Sequence, residues 1–170
     1  MLNPLAMKPE PKPGEWLAPD DFDTVVRLTP LVAIDLLVQA PDGRVLLGRR
    51  VNQPAKGSFF VPGGRISKNE TLAAALRRIS RAELGVEVRL EDTRFRGVYE
   101  HFYATNSRQT PGFGTHYVVL AYGLTAAPET LNLPKDQHGE FLWLSEADLL
   151  SNPEVHLNTK NYFAPAAKTG

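Results

Sequence analysis

FFVPGGRISKNETLAAALRRISRAELGV, Phe59 to Val86, reads as a strand, a glycine turn, a short loop and one capped helix. Apolar residues run into Pro62-Gly63-Gly64, as a chain that leaves a strand and bends sharply requires. Ser67 to Glu70 fits the capping pattern S-x-x-E, which predicts a helix starting just after Ser67. Leu72, Leu76 and Ile79 recur at helical spacing and are expected on one buried stripe. Gly85 is expected to stop the helix.

Glu83 lies one helical turn beyond Ile79 and continues the apolar stripe instead of breaking it. It also falls in the last turn, where the helix dipole disfavours an anion. Two placements satisfy such a residue. Either it escapes to solvent at a fraying helix end, or it is buried against a cation, an arginine or a bound metal.

The stretch resembles the Nudix box, G-x5-E-x7-R-E-U-x-E-E-x-G-U with U apolar. Gly64, Glu70, Arg78, Glu83, Gly85 and Val86 fall on its positions. Ile79 stands where the box has the glutamate after its arginine, Ser80 replaces the apolar residue, and Ala82 replaces the first glutamate of the E-E pair. In ordinary Nudix enzymes those carboxylates bind additional metal and help to activate water for attack on phosphorus, so this altered box implies less metal and another base.

The altered box, ending in A-E-L-G, is similar to that of the GDP-mannose mannosyl hydrolases. The similarity extends over most of Asp21 to Phe163 and includes DFDTVVRLTPLV, LLGRRVNQPAKG, FFVPGGR, HFY, THYVVL, LPKDQH, the Trp143-Leu144 pair and NTKNYF. It implies a Nudix fold, α/β in the α+β sense, with a mixed sheet sandwiched between helices. A homodimer is implied by the same branch.

Composition limits the function classes. The chain has 170 residues, 42% of them hydrophobic, enough for one domain with its own core. A formal net charge of +0 gives no global electrostatic reason to bind nucleic acid or an acidic membrane surface. No apolar run approaches the roughly 20 residues that cross a bilayer, and the N-terminus lacks a secretory pattern, so a cytoplasmic enzyme is the default. Without cysteine there is no disulfide framework and no thiolate metal site. Residues 1–19, rich in proline, are expected to form a flexible leader, 20–165 a single domain, and 166–170 a loose tail.

Along the chain, Asp20 or Asp21 is expected to cap a short helix through Phe22, Val25 and Val26. Leu31 to Val38 and Arg44 to Arg49 read as strands joined by Pro41-Asp42-Gly43, a hairpin feeding the sheet. Further strands are expected over Val86 to Leu90, Phe95 to Tyr103, Thr115 to Tyr122 and Phe141 to Leu144. Ser145 is expected to cap a short helix, and a final helix to run from about Asn158 to Ala164.

Asp35 interrupts an apolar strand and needs a partner, structural or functional. Arg50 and Arg65 flank the box region, where guanidinium forks would meet a pyrophosphate; solvated surface arginines are the plain alternative. Arg77 and Arg81 read as a solvated face, Arg78 as a brace for the turn or a carboxylate, and Glu70 as its structural partner. On residue type alone His101 and Tyr117 are ordinary core or satisfied residues. Resemblance to the branch places both in the substrate site. The loop Leu133 to Gly139 reads as a surface turn, and the branch motif makes Gln137 a candidate metal ligand and His138 the general base.

The resemblance therefore implies Mg2+-dependent hydrolysis of GDP-mannose, or of GDP-glucose, to GDP and free hexose. Water would attack the anomeric carbon with inversion. One Mg2+ is expected on Glu83, Gln137 and the backbone carbonyl of Gly63. Arg50 and Arg65 would stabilise the departing GDP, with Asp35, His101 and Tyr117 on the substrate. A Nudix pyrophosphatase that cleaves a nucleotide sugar at phosphorus, or a non-catalytic nucleotide-sugar sensor, are the alternatives.

Overall fold

The computed structural model describes residues 11–134 and 138–164, with the side chain of His138 outside that description. A first helix, α1 (Pro19–Leu28), is followed by β1 (Leu31–Gln39), β2 (Val45–Arg50), β3 (Phe59–Phe60), β4 (Gly63–Arg65) and α2 (Leu72–Leu84). After a 3-10 turn at Leu90–Asp92 come β5 (Arg94–Tyr103), β6 (Thr115–Thr125), a second 3-10 turn at Pro128–Thr130, β7 (His138–Leu144), α3 (Glu146–Ser151) and α4 (Leu157–Lys160).

The seven-stranded sheet is mixed, as expected. β1 runs parallel to β6 over its whole length, Leu31 opposite Tyr117 through Gln39 opposite Thr125, and antiparallel to β4, with Asp35 opposite Gly63. β1 and β2 do not form the extended hairpin that the turn predicts. They pair only at Gln39 and Val45, then diverge, and β2 is taken up by β3 and β7. That divergence separates Asp35 on β1 from Arg50 on β2 and leaves room for a site.

Each face of the sheet has its own core. On one, Ile34, Leu36 and Val38 pack with Ala75, Leu76, Ile79 and Leu84 of α2. On the other, Leu37, Val45 and Leu47 pack with Phe59, Leu149, Val155 and Tyr162. The period-2 alternation of β1 between the two explains why nearly every residue of the strand is apolar. Burying Leu76 or Ile79 contributes about 1.5–3 kcal/mol each.

Several sequence expectations need correction. α2 starts at Leu72, not after Ser67, and its cap is Thr71, whose hydroxyl accepts the amide of Ala74 at 3.2 Å. Only the reciprocal half of the Ser67 box forms: the Glu70 carboxylate accepts the Ser67 amide at 3.0 Å, but Asn69 sits at φ 63°, which a helix cannot continue through. Leu72, at the first helical position, stays 39% exposed because the core meets α2 from Ala75 onward.

Val86 to Leu90 makes no strand. Ser80 explains both this and its own departure from the box: its buried Oγ accepts the Val88 amide at 2.9 Å and donates to the Arg77 carbonyl, removing an amide that a ladder would need. At the N-terminus Ala18 is the cap residue of α1 without a side-chain bond, Pro19 opens the helix, and Asp20 and Asp21 lie inside the first turn, where their charge suits the dipole. The final helix is shorter than expected, closing at Lys160.

Other expectations hold. Gly85 caps α2 at φ 69°, its amide bonded to Arg81, and Ser145 caps α3 by accepting the Asp148 amide. Among the described residues no helix is long and apolar enough to cross a membrane.

Candidate active site

Asp35, Arg50, Gly63, Arg65, Glu83, His101 and Tyr117 line one cavity, although they come from five strands and a helix. β1 supplies Asp35, β2 Arg50, β4 both Gly63 and Arg65, α2 Glu83, β5 His101 and β6 Tyr117. Two candidates remain. Gln137 lies outside the described residues, and His138 is described by its backbone alone, which pairs in register with Arg50 across β2 and β7.

The glycine turn is built for close approach. A Cβ on Gly63 would collide with Oδ1 of Asp35 and with the Ile34 carbonyl, so β4 can lie against β1 at Asp35 only without a side chain there. A Cβ on Gly64 would come within 3.2 Å of Cγ1 of Ile79. Ile79 itself is 1% exposed, so the position that carries a glutamate in the box pattern is filled here by an apolar plug beneath the turn.

Glu83 is 5% exposed and lines the cavity. Of the two placements open to it, burial is the one realised. Glu70 is not in the cavity lining; Arg78 binds it by two hydrogen bonds and also donates to the Arg65 carbonyl at 2.8 Å. Arg77 is exposed, and exposed Arg81 pairs with Glu87, the solvated face that the sequence suggests.

Asp35 and His101 are joined by a residue that sequence reasoning missed as a site residue. The Tyr162 hydroxyl donates to Oδ2 of Asp35 at 2.6 Å and lies 3.1 Å from Nε2 of His101. Nothing in spacing could have pointed to it, since 127 residues separate it from Asp35. Tyr103, noted in sequence only as a strand residue, also lines the cavity and meets Tyr117 edge-on, ring centroids 6.2 Å apart.

The electrostatics follow from burial. Desolvation pushes the Asp35 carboxyl up to about 6, with the Tyr162 hydrogen bond and the charge of Arg50 acting against that rise and the charge of Glu83 adding to it. Desolvation, with the nearby His156 and Arg50, pushes His101 down to about 4, so at neutral pH its ring is uncharged. Burial raises Tyr117 and Tyr103, and it raises Tyr162 far above the ordinary tyrosine value, helped by the adjacent Asp35. Arg65 is lowered by burial, and its guanidinium lies 4.9 Å from the Phe22 ring centre of α1. Arg50 stacks similarly over Phe60 at 5.1 Å.

The cavity thus combines two carboxylates, two guanidiniums and a cluster of hydroxyls around a neutral imidazole. Its donors fit a hard cation. Glu83 and Asp35 bring carboxylate charge close enough that one raises the pKa of the other, which a divalent ion would offset. Among the described residues no group of three or more His, Cys, Asp or Glu could hold a metal by itself.

Comparison with known proteins agrees with this architecture. The NUDIX domain family matches residues 29–165. The chain is 40% identical over 130 residues to the low-salt glycan biosynthesis protein Agl8 of Haloferax volcanii, spanning 76% of this chain and 80% of that protein. It is 39% identical over 59 residues to the ADP-ribose pyrophosphatase of Methanocaldococcus jannaschii, 35% of this chain and 34% of that enzyme. Among solved structures, the MutT NUDIX hydrolase of Burkholderia pseudomallei superposes with a TM-score of 0.64 at 26% identity, covering 82% of this chain and 99% of that one.

Proposed function

The chain belongs to the Nudix hydrolase family, and from that premise we propose that it hydrolyses GDP-mannose to GDP and free mannose by attack of water at the anomeric carbon. The observation that carries this reading is Ile79, packed at 1% exposure where the box has a metal-binding glutamate. Ala82, exposed on the next turn, removes a second carboxylate. Chemistry at phosphorus draws on those groups; displacement at carbon with GDP as leaving group needs chiefly charge neutralisation. The likeness to a protein named for glycan biosynthesis supports a substrate that carries a sugar.

In this reading Arg50 and Arg65, both in the cavity lining, bind the diphosphate and stabilise the charge that develops as the bond from the anomeric carbon to phosphate oxygen breaks. Asp35, His101 and Tyr117 orient the sugar and its leaving group. His138 removes the proton of the attacking water on the face opposite GDP, so that configuration inverts. Glu83, the Gly63 carbonyl and Gln137 would hold one Mg2+, which when bound neutralises phosphate charge. GDP-glucose is a second candidate substrate for the same site. A homodimer is part of the proposal, from the branch resemblance.

The test is product analysis of GDP-mannose incubated with the protein and Mg2+ in water enriched in oxygen-18. Labelled mannose with unlabelled GDP is expected. GMP with mannose 1-phosphate would mean attack at phosphorus, the alternative favoured by the local likeness to an ADP-ribose pyrophosphatase. Binding without turnover would make the protein a sensor.

A further inference from the structure

Tyr162 has one hydroxyl proton and two polar neighbours. Oδ2 of Asp35 is 2.6 Å away, a length typical of a hydroxyl donating to a carboxylate, whereas Nε2 of His101 is at 3.1 Å. With its proton committed to Asp35, the hydroxyl oxygen has only lone pairs left for His101. Nε2 must then be the donor of that contact. A neutral imidazole carries one proton, so Nδ1 is bare and can only accept.

The arrangement is held rigidly. The Tyr162 ring is 6% exposed and meets Tyr99 edge-on at 4.5 Å and 79°. Its amide bonds to the carbonyl of Thr159, which is wholly buried. The segment carrying it is tied to the sheet where Phe59 exchanges backbone hydrogen bonds with Glu154 and His156. The C-terminal turn after α4 thus delivers a fixed hydroxyl between a β1 carboxylate and a β5 imidazole.

We propose that Tyr162 is a positioning residue that locks His101 in the Nε2–H tautomer, so that this ring presents a hydrogen-bond acceptor, at Nδ1, to a hydroxyl of the bound substrate. The tautomer lock follows from the protein alone. Its use on a sugar hydroxyl rests on the nucleotide-sugar reading above. With the opposite tautomer the ring would offer an N–H there, and a hydroxyl would have to turn its own proton elsewhere, losing the orientation that the site imposes.

The experiment is two-bond proton–nitrogen correlation on the full chain labelled with 15N-histidine, at pH 7.5, with His101 identified by the signal lost in His101→Asn. The wild type is expected to show His101 as the Nε2–H tautomer, and Tyr162→Phe, which keeps the ring and loses the hydroxyl, is expected to move part or all of that population to Nδ1–H. An Nδ1–H wild type overturns the proposal without any variant, as does a Tyr162→Phe protein whose His101 stays wholly Nε2–H. In GDP-mannose assays Tyr162→Phe is expected to lower kcat about tenfold with little change in KM. A wild type with the expected tautomer but no sugar release would sink the substrate reading and leave the lock standing; an active wild type with the wrong tautomer would do the reverse.

Discussion

Arg78 grips Glu70 through two parallel hydrogen bonds, Nε to Oε1 at 2.7 Å and Nη2 to Oε2 at 2.8 Å, while the same Nη2 reaches the carbonyl of Arg65. One guanidinium therefore ties α2 to the loop before it and to the strand that carries a candidate phosphate-binding arginine. The Glu70 carboxyl is held below the usual glutamate range, first by that hydrogen bond.

Replacing Arg78 by Ala is expected to cost on the order of 2 kcal/mol in urea unfolding at neutral pH, less than a fully enclosed pair because the Arg78 side chain is 38% exposed. Because the folded-state pKa of Glu70 is depressed, its contribution is complete above the ordinary glutamate value and disappears as pH falls through the depressed one. The stability gap between wild type and variant should accordingly narrow in acid. A gap that is constant from neutral pH to acid would show that the pair does not act through charge.

Ile79→Glu restores the letter of the box and is expected to damage the protein. The side chain is 1% exposed against Gly64, and a carboxylate there has to be neutralised or unfold its surroundings. A loss of about 3 kcal/mol or more is expected in chemical denaturation at pH 8, and a smaller one at pH 5, where the introduced acid can stay protonated. Equal stability to wild type at pH 8 would mean that the cavity reaches this position and that the plug is not part of the core.

Glu83→Gln tests the metal assignment. Mg2+ added with GDP is expected to raise Tm in the wild type, and the variant should need about tenfold more Mg2+ or more for the same rise. Identical titrations would remove Glu83 from the metal site.

His138→Gln is expected to lower kcat by about 10²- to 10⁴-fold while substrate binding persists. Calorimetry of GDP-mannose binding beside steady-state rates separates the two effects. An unchanged rate would take His138 out of the mechanism.

The family, the glycine turn and the stop of α2 at Gly85 were legible in the residues alone, because these depend on local chemistry: φ freedom, helical spacing and residue identity in a fixed pattern. The sequence also foresaw that Glu70 and Arg78 serve structure and that an inward-pointing Glu83 is exceptional. What it misjudged was competition between equally local signals. The Ser67 box lost the helix start to Thr71 once Asn69 took a positive φ, and the amide that Val86 to Leu90 needed for a strand went to Ser80. Long-range packing set the rest: β1 leaves its hairpin partner for β4 and β6, Glu83 is buried, and Tyr162 crosses 127 residues of sequence to stand between Asp35 and His101. Such contacts join segments whose separation along the chain carries no periodic signal; they exist because two apolar faces of one sheet must each be covered, and α3 and the C-terminal turn together cover the second.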